Sequence, residues 1–226
     1  MSQKLDLKIV GSGLGRTGTL SLKHALETIT GEPCFHMTEL LKDTGDLKFI
    51  KKKDWIAFSK GYGSAVDYPI CLFIEDLLQL NPELKVIHTK RDPLAWYESV
   101  EETIYRPSPK SSKDVLKIIW SAIRFPEFRR VAPVFRYNEQ QIWKGQFEGR
   151  FQDKAFAIDV FQRHEAYIQK VVPKRNLLMY EVRQGWKPLC DFLQRPIPHA
   201  EFPRTNAKQE INQKIDRLFE KGELVF

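Results

Sequence analysis

Cysteine is scarce in this 226-residue chain, with three residues in all, and Cys34, Cys71 and Cys190 lie far apart with no CxxC pair among them. That spacing offers neither a disulfide framework nor a zinc site, so no metal is expected and a reducing compartment is the default. Long apolar runs are missing too. Nothing approaches the ~18 consecutive apolar residues of a membrane span, and no secretory leader precedes the first apolar run. The expectation is a soluble, cytoplasmic protein with no membrane partner. Charge of one sign is not gathered into blocks: the net charge is +7 and the sequence pI about 9.2, yet basic residues are interspersed with acidic ones except at Lys51-Lys52-Lys53 and Arg129-Arg130. A dispersed positive excess without a recognised binding motif excludes a duplex-reading stripe and nucleic acid as partner, and favours a small anionic ligand.

What the chain does have is a hydrophobic content of 42%, enough for one α/β domain over residues 1–226 with a full core. Its most informative stretch is the glycine-rich run from Gly11 to Thr19, placed between the apolar Ile9-Val10 and a helical pattern of Leu20, Leu22, Ala25, Leu26 and Ile29. Four glycines open backbone conformations closed to other residues. Thr17, Thr19 and Ser21 add hydroxyls and Arg16 adds a fixed charge, so an anion is expected at a helix N-terminus. Three motifs overlap here. Gly13-x-Gly15-x-x-Gly18 fits a dinucleotide fingerprint, although Glu32 and Glu39 are only loosely placed to hold a ribose. Gly13-x-x-x-x-Gly18 fits a Walker A loop, but Thr19 stands where an ATPase needs lysine. The third reading takes Gly15-Arg16-Thr17-Gly18-Thr19 as an anion loop in which a cation stands just before a hydroxyl, a glycine and another hydroxyl.

A second anion site is written further along. Leu84 to Thr89 reads as a buried strand after the Asn81-Pro82 turn, closed by Lys90-Arg91-Asp92 and followed by a helix opening at Pro93. Arg91 at the strand end and Ser99 on that helix both reach toward a phosphate at the sheet edge. Between the two anion sites lie two candidates for proton transfer. His36 lies in a short strand read over Cys34 to Met37, and Asp67 ends another short strand before Tyr68-Pro69. Asp67 is either a general base for an attacking hydroxyl or the cap of a helix from Ile70 to Leu80. Residues 39–60 read as two amphipathic helices. Residues 104–151 read as a helical lid insertion over the site, rich in aromatic and basic residues, and Asp153 to Val172 as one long helix with Arg163 and His164 facing solvent or a neighbouring helix.

The run Gly-Leu-Gly-Arg-Thr-Gly-Thr-Leu-Ser-Leu-Lys-His-Ala-Leu ending at Leu26, together with Arg91-Asp-Pro-x-x-Trp-Tyr-x-Ser99, resembles the PAPS-dependent sulfotransferase family, in a branch with arginine where the cytosolic phenol and steroid enzymes carry lysine. The resemblance extends over most of residues 8–206. It implies a doubly wound α/β fold of the P-loop nucleotide-binding type, with a mainly parallel central sheet flanked by helices. It implies 3′-phosphoadenosine 5′-phosphosulfate as donor, adenosine 3′,5′-bisphosphate as product, and a hydroxyl or amine of a small molecule as acceptor. Carried over residue by residue, it assigns Gly15, Arg16, Thr17, Gly18, Thr19 and Leu20 to the 5′ end of the nucleotide and Arg91 and Ser99 to the 3′-phosphate. Tyr180 is assigned to the adenine and Arg204 loosely to the 3′-phosphate. Asp67-x-Pro69 stands where a catalytic histidine precedes a proline by two, so Asp67, His36 and Arg16 are the catalytic candidates. Two other functions stay open: an NAD-dependent oxidoreductase using the GxGxxG spacing, and a non-catalytic nucleotide-binding protein. Oligomeric state is not legible.

Overall fold

The computed structural model describes residues 4–109, 111–204 and 207–224, the side chains of 207 and 208 apart. Five parallel strands run through its centre in the order β2-β3-β1-β4-β5, with β1 Ile9–Gly11, β2 Cys34–Phe35, β3 Ser64–Ala65, β4 Lys85–Thr89 and β5 Leu177–Tyr180. Because β1 lies between β3 and β4, the strand order reverses about the first strand while all five strands stay parallel. The expected mainly parallel α/β sheet is the one observed.

The strands are short because each has only to bury a few alternating residues. Val10 and Val86 enter one cluster with Phe35 and Ala65, whereas Ile9 and Ile87 enter another with Cys34 and Val66. Successive side chains point to opposite faces of a sheet, so both faces are covered. On the second face lies α1, Thr19–Thr30, which buries Leu22, Ala25 and Leu26 at helical spacing and ends on left-handed Gly31, whose N–H donates to Glu27 O. Helix α10, Trp186–Leu193, joins it through Leu189. Each fully buried leucine contributes roughly 1.5–3 kcal/mol.

The first face carries more helices. Residues 39–60 fold as three short helices, α2 Met37–Lys42, α3 Leu47–Lys52 and α4 Trp55–Ser59, with a 3-10 turn between the first two. The two longer helices expected there are interrupted by capping side chains: Asp43 accepts from Gly45 N, and Asp54 accepts from Ala57 N. Similarly, Ile70–Leu72 is a 3-10 turn, and α5 covers only Ile74–Leu80.

A third cluster surrounds Trp96 of α6, Pro93–Glu101. Its indole stacks on Phe161 at 4.3 Å between ring centres. Phe161 belongs to α9, Lys154–Val171, which Asp153 caps. The expected lid, 104–151, contains α7 Ser112–Arg124, α8 Pro126–Asn138 and a π-helix at Glu139–Gln146. Most of its later aromatics are packing residues: Trp143, Phe147 and Phe151 are buried in the Trp96 cluster. Helix α11, Ala207–Lys221, lies against α7 and α8.

Candidate active site

All five strands end at one edge, and the segments that leave them carry the candidate residues. The loop 12–18 follows β1, His36 follows β2, Asp67 lies two residues past β3, and Arg91 two past β4. Parallel sheets bind ligands at this carboxyl edge, where the chain direction reverses. The cavity there measures about 1380 Å³, and its walls include Gly15 to Ser21, His36, Asp67, Arg91 and Arg204.

Two glycines in the loop are obligatory for steric reasons. A Cβ on Gly13 would collide with the side chain of Thr89, and one on Gly18 would lie 2.7 Å from Val182 Cγ1. Gly18 also has φ 98°, the left-handed region, and occupies the N-cap of α1 without any side-chain cap. The N-terminus of α1 therefore faces the cavity, walled by Gly18 to Ser21, without a capping side chain on its N-cap residue, an arrangement suited to an anion. Thr17 serves the loop itself: its hydroxyl donates to Leu14 O at 2.7 Å and also meets the Thr89 hydroxyl. The carbonyl of Gly15 accepts from Trp96 Nε1 at 3.1 Å. The buried tryptophan thus satisfies its only donor by pinning the loop, which couples the Trp96 cluster to the site.

Arg16, Arg91 and Ser99 meet although 75 residues or more separate the first from the other two. Arg16 Nε donates to Ser99 Oγ at 3.1 Å, and Arg91 Nη1 donates to the backbone O of Arg16 at 2.8 Å. Burial lowers the pKa of both guanidiniums, and Arg91 lowers that of Arg16 further. Among the described residues neither forms an ion pair. Asp92, the obvious partner for Arg91, instead caps α6 by accepting from Ala95 N at 2.9 Å. Two adjacent, partly desolvated cations with no ion-pair partner among the described residues suit an outside anion. The 3′- and 5′-phosphates of one nucleotide hang from a single ribose, so neighbouring sites are what such a ligand needs.

His36 and Asp67 face each other across the floor. His36 Nδ1 accepts from Thr38 N at 3.2 Å, so the ring proton resides on Nε2. Nε2 lies 3.2 Å from Asp67 Oδ2 and 3.2 Å from Thr19 Oγ1. Burial lowers the His36 pKa, against the opposing pull of Asp67, so the ring is neutral near pH 7. Asp67 Oδ1 is buried and has no hydrogen-bond partner among the described residues. A Cβ on Gly15 would sit 3.2 Å from that oxygen, which places it against the anion loop. The helix-capping role open to Asp67 is not realised among the described residues: the bond it takes from the following helical turn goes to its backbone O, from Cys71 N at 3.1 Å, and its Oδ2 faces His36. Asp67 has φ 70°, a conformation aspartate tolerates better than most residues.

Leu20 and Arg204 line the cavity. Tyr180 does not: it is fully buried, with its hydroxyl donating to Gly185 O at 2.9 Å. The neighbouring wall is formed by Val182, Arg183 and Phe202. Sequence reasoning also missed a group behind the loop. His88 Nδ1 meets Ser12 Oγ at 3.0 Å, and His164 Nε2 donates to Ser12 O at 2.7 Å, so His164 is turned inward. Glu165 pairs with Lys90 at 3.3 Å. Burial, His164 and Lys90 together push the His88 pKa down to about 3. No spacing in the chain announces this group, because β4 and α9 meet only on folding.

Residues 8–211 match the family profile described as a sulfotransferase domain. "Ava biosynthesis cluster protein M" of Aspergillus versicolor is 31% identical over 215 residues, covering 87% of this chain and 80% of that protein. With a profile match over most of its length and a relative 31% identical over 87% of it, the chain belongs to the sulfotransferase domain family.

Proposed function

We propose that the protein transfers a sulfuryl group from 3′-phosphoadenosine 5′-phosphosulfate to a hydroxyl or amine of a small-molecule acceptor. The observation that carries this reading is that Arg16 and Arg91 line one cavity, with Ser99 buried behind Arg16 and bonded to it and neither guanidinium in an ion pair among the described residues. The donor set fits a nucleotide with phosphates on both sides of one ribose: the α1 N-terminus and Arg16 would hold its 5′ end, and Arg91 and Ser99 its 3′-phosphate. When bound, this donor supplies an activated sulfuryl group and leaves as adenosine 3′,5′-bisphosphate.

The chain's own residues supply the rest. Arg16 stabilises negative charge developing at the bridging oxygen. It stays protonated despite its lowered pKa and so acts by charge and not as an acid. Asp67 Oδ1 takes the proton of the acceptor hydroxyl or amine. His36 is a positioning residue: its Nε2–H holds Oδ2, and Oδ1 is left without a hydrogen-bond partner among the described residues. Leu41, Ile118, Phe128, Phe135 and Leu218 line the cavity away from the loop, which suits an acceptor with an apolar body. The biosynthesis cluster in the name of the Aspergillus versicolor relative is consistent with a small-molecule acceptor.

The test is incubation of the purified chain with 3′-phosphoadenosine 5′-phosphosulfate and a panel of phenols, alcohols and amines, read by mass spectrometry. Sulfated product with equimolar adenosine 3′,5′-bisphosphate is the expected result. Nucleotide binding without transfer across the panel would favour the non-catalytic reading, and binding of NAD in its place the oxidoreductase.

A further inference from the structure

Helix α7 turns an apolar face away from the protein. Val115, Leu116, Ile119, Trp120 and Ile123 are all exposed, with Leu116, Trp120 and Ile123 at 65%, 60% and 66%. At about 100° per residue these five side chains cover an arc of roughly 140°, whereas a surface helix ordinarily turns such a stripe toward the core. The core is served by the opposite side of the same helix, where Ile118 and Ala122 pack with Phe125 and Phe128. Along one border of the exposed face run Lys113, Lys117 and Arg124, all exposed. The helix has one acid, Asp114, which accepts from Ser111 Oγ at 2.8 Å at the N-terminus.

We propose that α7 docks on the surface of an anionic phospholipid bilayer, lying in the interface plane with its apolar face among the acyl chains and its basic border at the headgroups. Charge complementarity selects this occupant. Apolar side chains including an interfacial tryptophan, bordered by lysine and arginine, are the chemistry of an in-plane membrane helix, and an anionic leaflet attracts each such cation. Area argues against a second copy of the chain. A 13-residue helix is ~20 Å long, and five side chains fall short of the ~800 Å² per partner that a stable interface requires. Surface docking needs no spanning helix, and among the described residues no helix is long and apolar enough to span. Ile118 on the inner side of α7 lines the cavity, so docking would set that wall beside the bilayer.

The full chain is sedimented with vesicles of phosphatidylcholine alone and of phosphatidylcholine mixed with phosphatidylserine. Binding is expected to the mixed vesicles and to weaken as salt is raised. The triple variant Leu116→Ser, Trp120→Ser, Ile123→Ser should lose it. Lys113→Gln, Lys117→Gln and Arg124→Gln should each weaken it roughly fivefold. Circular dichroism and binding of adenosine 3′,5′-bisphosphate should be unchanged in these variants, since the six positions lie outside the cavity wall. Failure of the wild-type chain to bind mixed vesicles, or binding that survives the triple variant, would overturn the proposal. A dimer in sedimentation equilibrium that the triple variant dissociates, without vesicle binding, would assign α7 to a second copy instead.

Discussion

Replacing Asp67 by asparagine is the most discriminating single change, because it removes a charge and almost no volume. The backbone at φ 70° accepts asparagine as readily as aspartate, and the His36 Nε2 proton can still donate to a carbonyl oxygen at the Oδ2 position. What disappears is the basic oxygen, Oδ1, buried beside Gly15 without a partner. A positioned general base contributes roughly a hundred- to ten-thousandfold to turnover, equivalent to about 2.7–5.5 kcal/mol of barrier. Affinity for adenosine 3′,5′-bisphosphate should not suffer, since Asp67 is the carboxylate whose charge acts on Arg16 and its removal leaves the anion site more positive. Stability should not fall either, since a buried carboxylate oxygen without a partner already costs free energy. The assays are steady-state turnover on an acceptor found by the panel, calorimetric titration of the bisphosphate, and thermal melting. A loss of turnover under tenfold, or a matching loss of bisphosphate affinity, would refute the assignment of proton transfer to Asp67.

Other predictions follow from the same geometry. Arg91→Ala should weaken adenosine 3′,5′-bisphosphate by roughly tenfold or more, the value of about 1.5–3 kcal/mol for a charged hydrogen bond, and calorimetry showing an unchanged dissociation constant would remove Arg91 from the site. Gly18→Ala forces a methyl to 2.7 Å from Val182 Cγ1 at φ 98° and should cost at least about 1–3 kcal/mol in urea unfolding, whereas unchanged stability would contradict the packing. His88, held at about 3 in the folded chain against an ordinary 6.5, takes up protons only on unfolding in the interval between. Its contribution, up to about 4–5 kcal/mol, is fully present above pH 6.5 and is lost as pH falls toward 3. Urea midpoints of the wild type and His88→Gln should therefore converge on acidification, and parallel curves would contradict the burial of a neutral ring.

Local chemistry made much of this architecture readable in advance. Glycine accepts the left-handed backbone that Gly18 adopts, so a glycine-rich turn before Leu22, Ala25 and Leu26 identifies both the loop and α1. Arg91 before Asp92-Pro93 similarly marks the end of β4 and the start of α6, because aspartate caps and proline opens a helix. The contact between Arg16 and Ser99 was legible only as two separate motifs, since their meeting depends on β1 and β4 lying side by side. Tyr180 shows the opposite difficulty: a tyrosine at a strand end reads the same whether it faces a ligand or, as here, gives its hydroxyl to Gly185 O. The roles of His164 and α11 were hidden for the same reason, because helical periodicity shows that a face is buried and not what lies against it. Helical spacing in 104–151 announces a helical insertion but not which way its faces turn, and five apolar residues of α7 face outward.

Calorimetric titration of the wild-type chain with adenosine 3′,5′-bisphosphate, adenosine 5′-monophosphate and adenosine 3′-monophosphate tests the central claim most directly. If Arg16 with the α1 N-terminus and Arg91 with Ser99 hold the two phosphates of one ribose, the bisphosphate binds one to one, and each monophosphate binds roughly ten- to a hundredfold more weakly, the value of a charged hydrogen-bonded group. A bisphosphate that binds no better than either monophosphate would mean that the two clusters do not share a nucleotide.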